Sequence, residues 1–430
     1  MLADFHHPHA VGSLEEGTEV HTAGRLFRPN GDVVLVDARG SVRLESDDGS
    51  HPPERSLVRV AGVWSGEAIV QAEIKCVREP RADSSFSVPD ALDSALQLRA
   101  EARERCRQIF EAREFRHVDT PHVVPAPGTD LYIDPIRLAE DGTEGPAWLH
   151  TSPEFAMKRL LSEGCTRIWQ HCRVWRGGER TERHHPEFSM LEWYRAWESS
   201  DAILDDVETI VTDICDGEAH IAQRGGGEMQ SRSVPMDPPF ERVTMQELVD
   251  DVCGFDLLDA LDYSSLRRAV ADAELLERSL ETRHREDDGR WDELFFELMV
   301  TELEPALEKM GAVFVTEWPA PLAVLAKKHD DDPRVAERFE LFVGGLELAN
   351  GFVELTDADE QRRRFEGEKA ERDQLDKARL PVPERFLQSL RYGMPPSAGV
   401  ALGFDRLLMA ACGAPTLAHV NPFVDPKTNP

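Results

Sequence analysis

The sequence predicts an α+β protein in which a large antiparallel sheet is flanked by helices and preceded by a small all-β barrel. Two observations support this prediction. Short alternating apolar segments separated by turn residues fill the first 80 residues, which is typical of consecutive β-strands. Beyond them, strand-like segments alternate with amphipathic helical segments, and the sequence contains no internal repeat.

Residues 1–80 form the predicted barrel domain. Its alternating segments are EVHTAGRLF, DVVLVDARGSVRLE, SLVRVAGVW and AIVQAEIKCV. Because a turn divides the second segment, five strands are expected, the number of an OB-type barrel. OB barrels often bind single-stranded nucleic acid through a basic groove and exposed aromatic side chains. With 13 acidic and 8 basic residues and few aromatics (Phe5, Phe27, Trp64), this barrel is favoured as a packing or dimer-stabilising module over an RNA-binding one.

A linker is predicted at residues 81–94, which are rich in Pro, Ser and Asp, and a second, larger domain at residues 95–430. This domain begins with an amphipathic helix between Ala91 and Phe115. Later strands are predicted at 166–174, 187–193, 313–316, 340–348 and 351–355, helices at 155–161, 203–216 and 291–310, and surface loops at 223–239 and 281–290.

The chain is strongly acidic. Its 81 Asp and Glu residues exceed its 49 Lys and Arg residues and give a net charge of −32, which excludes a basic nucleic-acid clamp. No secretory signal is expected, and no apolar stretch is long enough to span a membrane. The seven cysteines include no C-x-x-C pair, which favours inert thiols over disulfides or a zinc site. These features predict a cytoplasmic protein without a membrane partner.

The common nucleotide-binding and hydrolase motifs are absent from the sequence. It contains neither a G-x-x-x-x-G-K-[ST] loop nor a strand followed by G-x-G-x-x-G, and no G-x-S-x-G or H-E-x-x-H motif. If ATP binds, a glycine-rich backbone loop is not what holds it. Three clusters of polar residues within strand-like sequence remain as candidate sites.

The first cluster is IWQHCRVWRGGERTERHHPEFSMLEWY, residues 168–194. Its pattern predicts a hairpin with Arg176 and His184 near its open end. Alternation places on one strand face the side chains of Phe188, Met190, Glu192 and Tyr194. Such a mixed row suits a lined pocket, because each buried polar group needs a partner. A salt-bridged edge hairpin is the alternative interpretation.

The other two clusters carry carboxylates and a guanidinium group. In ERFELFVGGLELANGFVEL, residues 337–355, Glu340 and Glu347 lie seven residues apart, and carboxylates on paired strands can hold Mg²⁺ together with substrate phosphates. Solvent-facing Glu on an amphipathic strand is the alternative. In SAGVALGFDRLLMA, residues 397–410, Arg406 opens an apolar helix, where a guanidinium can stack on a purine or pair with phosphate.

Together these clusters resemble, in order and spacing, the motifs of class II aminoacyl-tRNA synthetases. The similarity is greatest to the lysyl branch, and within it to elongation factor P β-lysine ligases, and it covers about residues 95–425. The segments that carry it are TSPEFAMKRLL (151–161), HHPEFSMLEWYR (184–195), ELANGFVELTDA (347–358) and GVALGFDRL (399–407). The resemblance implies a class II synthetase-type antiparallel sheet, ATP as a substrate, Mg²⁺ as a cofactor, and a homodimer formed through residues 91–121.

The resemblance also implies roles for individual residues at the nucleotide. Arg176 would bridge the substrate carboxylate and the ATP α-phosphate, and His184 would contact the γ-phosphate. Phe188 and Arg406 would enclose the adenine. Of these residues, Arg176 and Arg406 are the candidate catalytic residues. Glu340 and Glu347 would hold Mg²⁺, and Glu347 would also belong to the ATP site.

Further residues would bind the amino-acid substrate. The resemblance implies that Glu154 meets an amino group near the carboxylate and that Asn350 contacts the carboxylate itself. Glu354 and Tyr194 would take the distal ammonium. A diamine requires paired carboxylates in a closed pocket, and Glu192 supplies a third.

Two features depart from the family pattern. Arg176 is followed by Gly177, Gly178 and Glu179, so that Gly178 stands where the family's Arg-x-Glu motif has its glutamate. Either Glu179 replaces that residue through a bent loop, or one substrate contact is missing. The second departure is the N-terminal barrel, because lysyl-tRNA synthetases have one for the anticodon whereas the β-lysine ligases lack it.

One pocket position and the barrel bear on two choices: β-lysine or α-lysine as the substrate, and elongation factor P or tRNA as the acceptor. Ala401 stands where lysyl-tRNA synthetases have Gly and the ligases have Ala, and one misplaced methyl group changes specificity by about 1–3 kcal/mol. We therefore expect ligation of (R)-β-lysine to a lysine of elongation factor P, with tRNA as the less favoured acceptor. Aminoacylation of tRNA with lysine, and an inactive paralogue that acts as a binding module, are the alternatives.

Overall fold

The computed structural model describes residues 5–28, 32–37, 40–46, 51–79, 92–139, 146–225, 228–275 and 289–424. The chain forms two compact units, Met1–Gln97 and Leu98–Pro430. Helix α1, Leu92–Ala112, contains the boundary between them. Of the predicted linker at residues 81–94, residues 81–91 lie outside the described residues. Its last three residues, 92–94, belong to α1.

The first unit is a closed barrel. Its strands are β1 (Glu19–Phe27), β2 (Val34–Val36), β3 (Ser41–Leu44), β4 (Leu57–Trp64) and β5 (Ala68–Arg78). They close in the order β1-β2-β3-β5-β4, and alternate residues point inward, as the period of two predicts. The fully buried interior contains Val20, Leu26, Leu35, Val58 and Ile69. The predicted OB-like barrel is confirmed.

The second unit contains the remaining strands. They are β6 (Arg116–His117), β7 (Val123–Val124), β8 (Trp148–Leu149), β9 (Arg167–Trp175), β10 (Glu187–Ala196), β11 (Glu218–Gly225), β12 (Glu228–Pro235), β13 (Glu241–Thr244), β14 (Ala312–Pro319), β15 (Val335–Val343), β16 (Leu346–Val353) and β17 (Ser397–Gly403). Eight of them form one sheet in the order β13-β14-β15-β16-β17-β10-β9-β6. The inner pairs are antiparallel, and the two edge pairs, β13–β14 and β6–β9, are parallel. The predicted large antiparallel sheet is confirmed.

Helices flank this sheet. They are α2 (Glu154–Ser162), α3 (Ser200–Ile214), α4 (Met245–Cys253), α5 (Tyr263–Asp272), α6 (Trp291–Leu298), α7 (Glu304–Met310), α8 (Ala358–Gln374), α9 (Glu384–Gly393), α10 (Phe404–Cys412) and α11 (Leu417–Val420). A π-helical turn, Met299–Leu303, joins α6 to α7. Within the described ranges, every helix is too short or too polar to cross a bilayer.

The largest core lies between the sheet and helices α1, α3 and α10. Phe110 of α1 stacks on Trp169 of β9 with ring centroids 4.7 Å apart, and it meets Trp193 of β10 edge-on at 5.4 Å. Leu191 and Trp193 of β10 are both fully buried in this core. Because side chains alternate along a strand, their neighbours on β10 project from the opposite face.

Two local predictions were wrong. Residues 223–239, predicted as a surface loop, contribute to a hairpin in which β11 and β12 pair antiparallel. The segment predicted as one strand at 340–348 instead contains a turn at Gly344–Gly345, whose positive φ angles of 55° and 81° suit glycine. Of the predicted charged loop at 281–290, residues 281–288 lie outside the described residues.

Replacing Phe110 with alanine tests this core. We expect Phe110→Ala to lower the free energy of unfolding by about 3–5 kcal/mol, because it removes a buried ring that two tryptophans contact. Chemical denaturation followed by tryptophan fluorescence measures the change. Tyr392→Ala, at a side chain that is 76% exposed, is the control and should cost less than about 0.5 kcal/mol. A loss below about 1 kcal/mol at Phe110 would contradict the packing described.

Candidate active site

The polar residues of the sheet lie in register across four neighbouring strands. Glu192 of β10 pairs with Ala401 of β17, Ala401 pairs with Asn350 of β16, and Asn350 pairs with Glu340 of β15. Paired residues project from the same side of a sheet. The register therefore assembles one row of polar groups from three segments that are far apart in the sequence.

A second row lies beside the first. Gly399 of β17 is paired with Tyr194 on one side and with Phe352 on the other. A Cβ atom at Gly399 would lie 2.3 Å from the Tyr194 ring and 2.8 Å from Oε1 of Glu354. The missing side chain thus lets the phenol of Tyr194 lie across β17 towards Glu354.

Apart from Glu340, the residues of these two rows line a cavity of about 300 Å³. Helix α2, the loop after β9 and the start of α10 also contribute to its wall. Eleven of the twelve predicted site residues line it, namely Glu154, Arg176, His184, Phe188, Glu192, Tyr194, Glu347, Asn350, Glu354, Ala401 and Arg406. Glu340 does not line the cavity and lies buried beside Asn350.

One part of the cavity is acidic, because Glu154, Glu192 and Glu354 meet there. Glu192 is 1% exposed and accepts hydrogen bonds from the hydroxyl groups of Tyr194 and Ser152, each at 2.7 Å. Burial, and then the charge of Glu154, raise the pKa of Glu192. Burial also raises the pKa of Glu354, against the opposing effect of a neighbouring lysine.

That lysine is Lys158, which the sequence predictions did not include. Its Nζ lies 2.5 Å from Oε1 of Glu154, one helical turn away on α2, and it also contacts Oε2 of Glu354. Burial opposes the charged form, but the charges of Glu154 and then Glu354 outweigh it and raise the pKa of Lys158. The spacing of four residues between Glu154 and Lys158 is the sequence signal for this ion pair.

Another part of the cavity carries cations and a histidine. Arg406 donates to the backbone oxygen of Glu347 at 3.0 Å and to its Oε2 at 3.1 Å. The Nη2 atom of Arg406 lies 2.6 Å from Nε2 of His184, which accepts this hydrogen bond. Burial, and then the charge of Arg406, lower the pKa of His184 to about 4, so that the imidazole is neutral.

The start of α10 is anchored next to Arg406. The carboxylate of Asp405 accepts a hydrogen bond from Nη1 of Arg99 at 2.5 Å and one from the backbone N–H of Ser189 at 2.7 Å. Asp405 is 3% exposed, and a buried charge of this kind needs such partners. The contacts connect α10 to α1 and β10, and they position the neighbouring guanidinium of Arg406.

The loop after β9 brings Arg176 to the cavity. Its guanidinium lies over the ring of Phe188, 5.2 Å from the ring centroid. Its Nε–H is buried and has no partner in the part of the chain that the structure describes. Gly178 has a φ of 79° with open space at its Cβ position, and Glu179 lines the cavity. The left-handed turn at Gly178 therefore precedes an acidic residue at the site.

Glu340 is held by two neighbours. It accepts hydrogen bonds from Nη2 of Arg338 at 2.5 Å and from Nδ2 of Asn350 at 2.9 Å. Among the described residues no group of three or more His, Cys, Asp or Glu side chains surrounds a metal position. Mg²⁺ takes few protein carboxylates and completes its shell with phosphate and water oxygens. Glu347 lines the cavity and can offer such an oxygen, whereas Glu340 lies buried beside it and its Oε1 already accepts two hydrogen bonds.

Comparisons with known proteins identify the family of the chain. Residues 86–428 match the family model described as tRNA synthetases class II (D, K and N). The chain is 36% identical over 339 residues to the elongation factor P–(R)-β-lysine ligase of Avibacterium paragallinarum. The aligned region covers 78% of this chain and 96% of that protein. The ligase of the same name from Pectobacterium carotovorum subsp. carotovorum (strain PC1) is 36% identical over 341 residues, with the same two coverages.

The acidic part of the cavity predicts a pH dependence. The raised pKa values of Glu192 and Glu354 leave part of each carboxyl group neutral at low pH, and only the charged form pairs with an ammonium group. Affinity for a diamine is therefore expected to increase as the pH rises from 6 to 8. Calorimetric titration with β-lysine across this range measures it. Glu354→Gln should weaken binding by about tenfold or more at pH 8 and flatten the profile. Equal affinity at all pH values would contradict this assignment.

Proposed function

The chain belongs to the class II tRNA synthetase family (D, K and N), and we propose that it activates (R)-β-lysine with ATP and transfers the acyl group to a lysine of elongation factor P. The relatives confirm the predicted family and the predicted class of enzyme, a ligase of the class II synthetase type. The observation that carries the proposal is one cavity in which three carboxylates and the cationic groups Arg176 and Arg406 are brought together.

Activation joins two anions. A carboxylate oxygen of the amino acid attacks the α-phosphorus of ATP in line, the bond to the bridging oxygen breaks, and pyrophosphate leaves. The enzyme must suppress the repulsion between the reactants and fix their geometry. Arg176, with its unpaired buried Nε–H, is the residue proposed to contact both anions. Arg406, held through its hydrogen bonds to Glu347, is proposed to lie against the adenine.

The same cavity explains the choice of a diamine. Glu192, Tyr194 and Glu354 are buried side chains that line one part of the cavity, where the distal ammonium group of the substrate is proposed to bind. An apolar side chain there would leave carboxylates without a partner, which is costly inside a protein. Asn350, one strand away in the same row, is proposed to contact the substrate carboxylate. Glu340 and Glu347 are proposed to hold Mg²⁺, which when bound would neutralise phosphate charge.

Glu179 is proposed to replace the glutamate that the family pattern places at position 178. Gly178 adopts a left-handed conformation that residues other than glycine rarely adopt. Its turn precedes Glu179, whose side chain lines the cavity. This arrangement supports the bent-loop alternative over the loss of a substrate contact.

Elongation factor P is favoured over tRNA as the acceptor for two reasons. The relatives that cover most of this chain are ligases of elongation factor P by name. The barrel also offers little for an anticodon, because Phe5 and Phe27 are half-buried and Trp64 is buried, whereas single-stranded nucleic acid binds to exposed aromatic rings. Transfer then requires a neutral acceptor amine, which attacks the acyl carbon as AMP leaves. A translation factor as acceptor agrees with the predicted cytoplasmic location.

A homodimer formed through α1 is proposed as well. A second cavity, of about 380 Å³, lies between α1 and β9. Trp169 Nε1 and His171 Nε2 are buried beside it and have no hydrogen-bond partner in the described ranges. Buried polar atoms are generally paired, so a second copy of the chain at this surface would satisfy them.

Pyrophosphate exchange tests the proposed function. We expect ATP-dependent exchange with (R)-β-lysine that exceeds exchange with α-lysine. Mass spectrometry should then show one added β-lysyl group on a lysine of purified elongation factor P. Exchange and tRNA charging with α-lysine would support the lysyl-tRNA synthetase alternative instead. No exchange with either diamine would support an inactive paralogue.

Ala401→Gly tests the proposed specificity. Ala401 lies between Glu192 and Asn350 in the row that lines the cavity, so its methyl group restricts where the substrate amino group fits. Removing it should raise the ratio of kcat/KM for α-lysine over β-lysine by about tenfold or more. Ala398→Gly, on the opposite face of the same strand in the core, is the matched control and should leave the ratio unchanged. An unchanged ratio in Ala401→Gly would refute the steric argument.

A further inference from the structure

Lys158 does not line the cavity itself, but its ammonium group pairs with two of the carboxylates that do, Glu154 and Glu354. Its side chain is 1% exposed, which is rare for a lysine. The neighbouring Arg159 on α2 is exposed to solvent. The helix therefore buries its lysine and directs its arginine outward, although both side chains are long and basic.

The position of the Lys158 ammonium is fixed from several sides. Glu154 contacts it from α2, and Glu354 contacts it from the end of β16. The rings of Phe352 and Phe386 lie 4.9 Å and 5.8 Å from Nζ, which is the range of cation–π attraction. With these partners Lys158 does not need a bound substrate to remain charged.

The contacts of Lys158 leave some carboxylate oxygens of Glu154, Glu192 and Glu354 free. Lys158 engages Oε1 of Glu154 and Oε2 of Glu354, whereas Oε1 of Glu354 is buried without a hydrogen-bond partner within the described residues. Glu192 is the remaining carboxylate and is oriented by Ser152 and Tyr194. An incoming ammonium therefore finds the free oxygen of Glu354 and the carboxylate of Glu192.

We propose that Lys158 is a specificity-determining residue that holds Glu154 and Glu354 in place and sets the charge of the pocket to suit a substrate with two ammonium groups. Three carboxylates and one lysine give a formal charge of −2. The two ammonium groups of a diamino acid balance that charge, while its carboxylate pairs with Arg176. This inference rests on the proposed function only for the identity of the diamine.

Removing Lys158 has a defined electrostatic consequence. The charged groups that face Glu354 are Lys158 and Glu154 from α2 and Glu192 from β10, with Tyr194 as the neighbouring phenol. Without the ammonium, the remaining carboxylates repel one another, and the pKa of Glu354 increases further. More of Glu354 is then neutral at pH 7.5, and a neutral carboxyl group pairs poorly with the distal ammonium of the substrate.

The test uses the full chain with Lys158→Met, which keeps the length of the side chain and removes its charge. Arg159→Met is the matched control on the next residue of the same helix. Pyrophosphate exchange is measured from pH 6.5 to 9 with two substrates: (R)-β-lysine, and 3-aminohexanoic acid, which has the same chain without the distal amino group. The second substrate reports whether the variant remains folded and able to activate a carboxylate.

We expect Lys158→Met to raise KM for β-lysine by about tenfold or more at pH 7.5, which corresponds to a pKa change of about one unit. The effect on kcat should be smaller, KM should partly recover towards pH 9, and kcat/KM for 3-aminohexanoic acid should change by less than about threefold. Arg159→Met should resemble the unmodified protein.

Two results would overturn the inference. An unchanged KM and pH profile for β-lysine would show that the pocket does not need the charge of Lys158. A parallel loss with both substrates at every pH would show a structural role alone. If the unmodified protein uses α-lysine instead, the proposed function fails. The comparison of Lys158→Met with the unmodified protein can then be made with α-lysine, and it still tests the role of Lys158. If it uses neither diamine, both proposals fail.

Discussion

The pairing register of β10, β17 and β16 is the constraint on which the rest of the site depends. It aligns Glu192, Ala401 and Asn350 on one face of the sheet, while Leu191 and Trp193 enter the core on the other. A slip of one residue would exchange these two sets, because side chains alternate with a period of two. The contact of Phe110 with Trp193 opposes such a slip. The same packing that stabilises the sheet therefore fixes which side chains reach the cavity.

Electrostatics sets a second constraint within that frame. Under the proposed function, the cavity receives a cationic group in one part and brings anions together in another, and burial makes both sets of charges costly when they are unpaired. In the described residues several of these charges have internal partners. Lys158 pairs with the acidic group, and Glu347 and His184 engage Arg406. Binding of substrates thus exchanges internal partners for external ones, which requires less reorganisation than the creation of isolated buried charges.

Much of this arrangement could be predicted from the sequence, because strand alternation alone placed Phe188, Glu192 and Tyr194 on one face, and all three line the cavity. Three features could not. A Glu–Lys pair four residues apart is usually a surface ion pair, and the tertiary packing of Phe352 and Phe386 is what buries Lys158. Glu340 is kept from the cavity by its buried hydrogen bonds to Arg338 and Asn350, which the sequence does not indicate. The hairpin of β11 and β12 was missed because its sequence is mostly polar; among its residues whose burial is described, the buried ones are Ala219, Ile221, Ala222 and Val234.

The barrel lies outside the part of the chain that the family model matches. The family model begins at residue 86, and the aligned 339 residues make up 96% of the Avibacterium ligase, so that about 14 residues of that protein lie outside the match (339/0.96 − 339). A barrel of this kind, which spans Glu19–Arg78 here, does not fit in 14 residues. The Avibacterium ligase therefore has no room for such a barrel outside the aligned region.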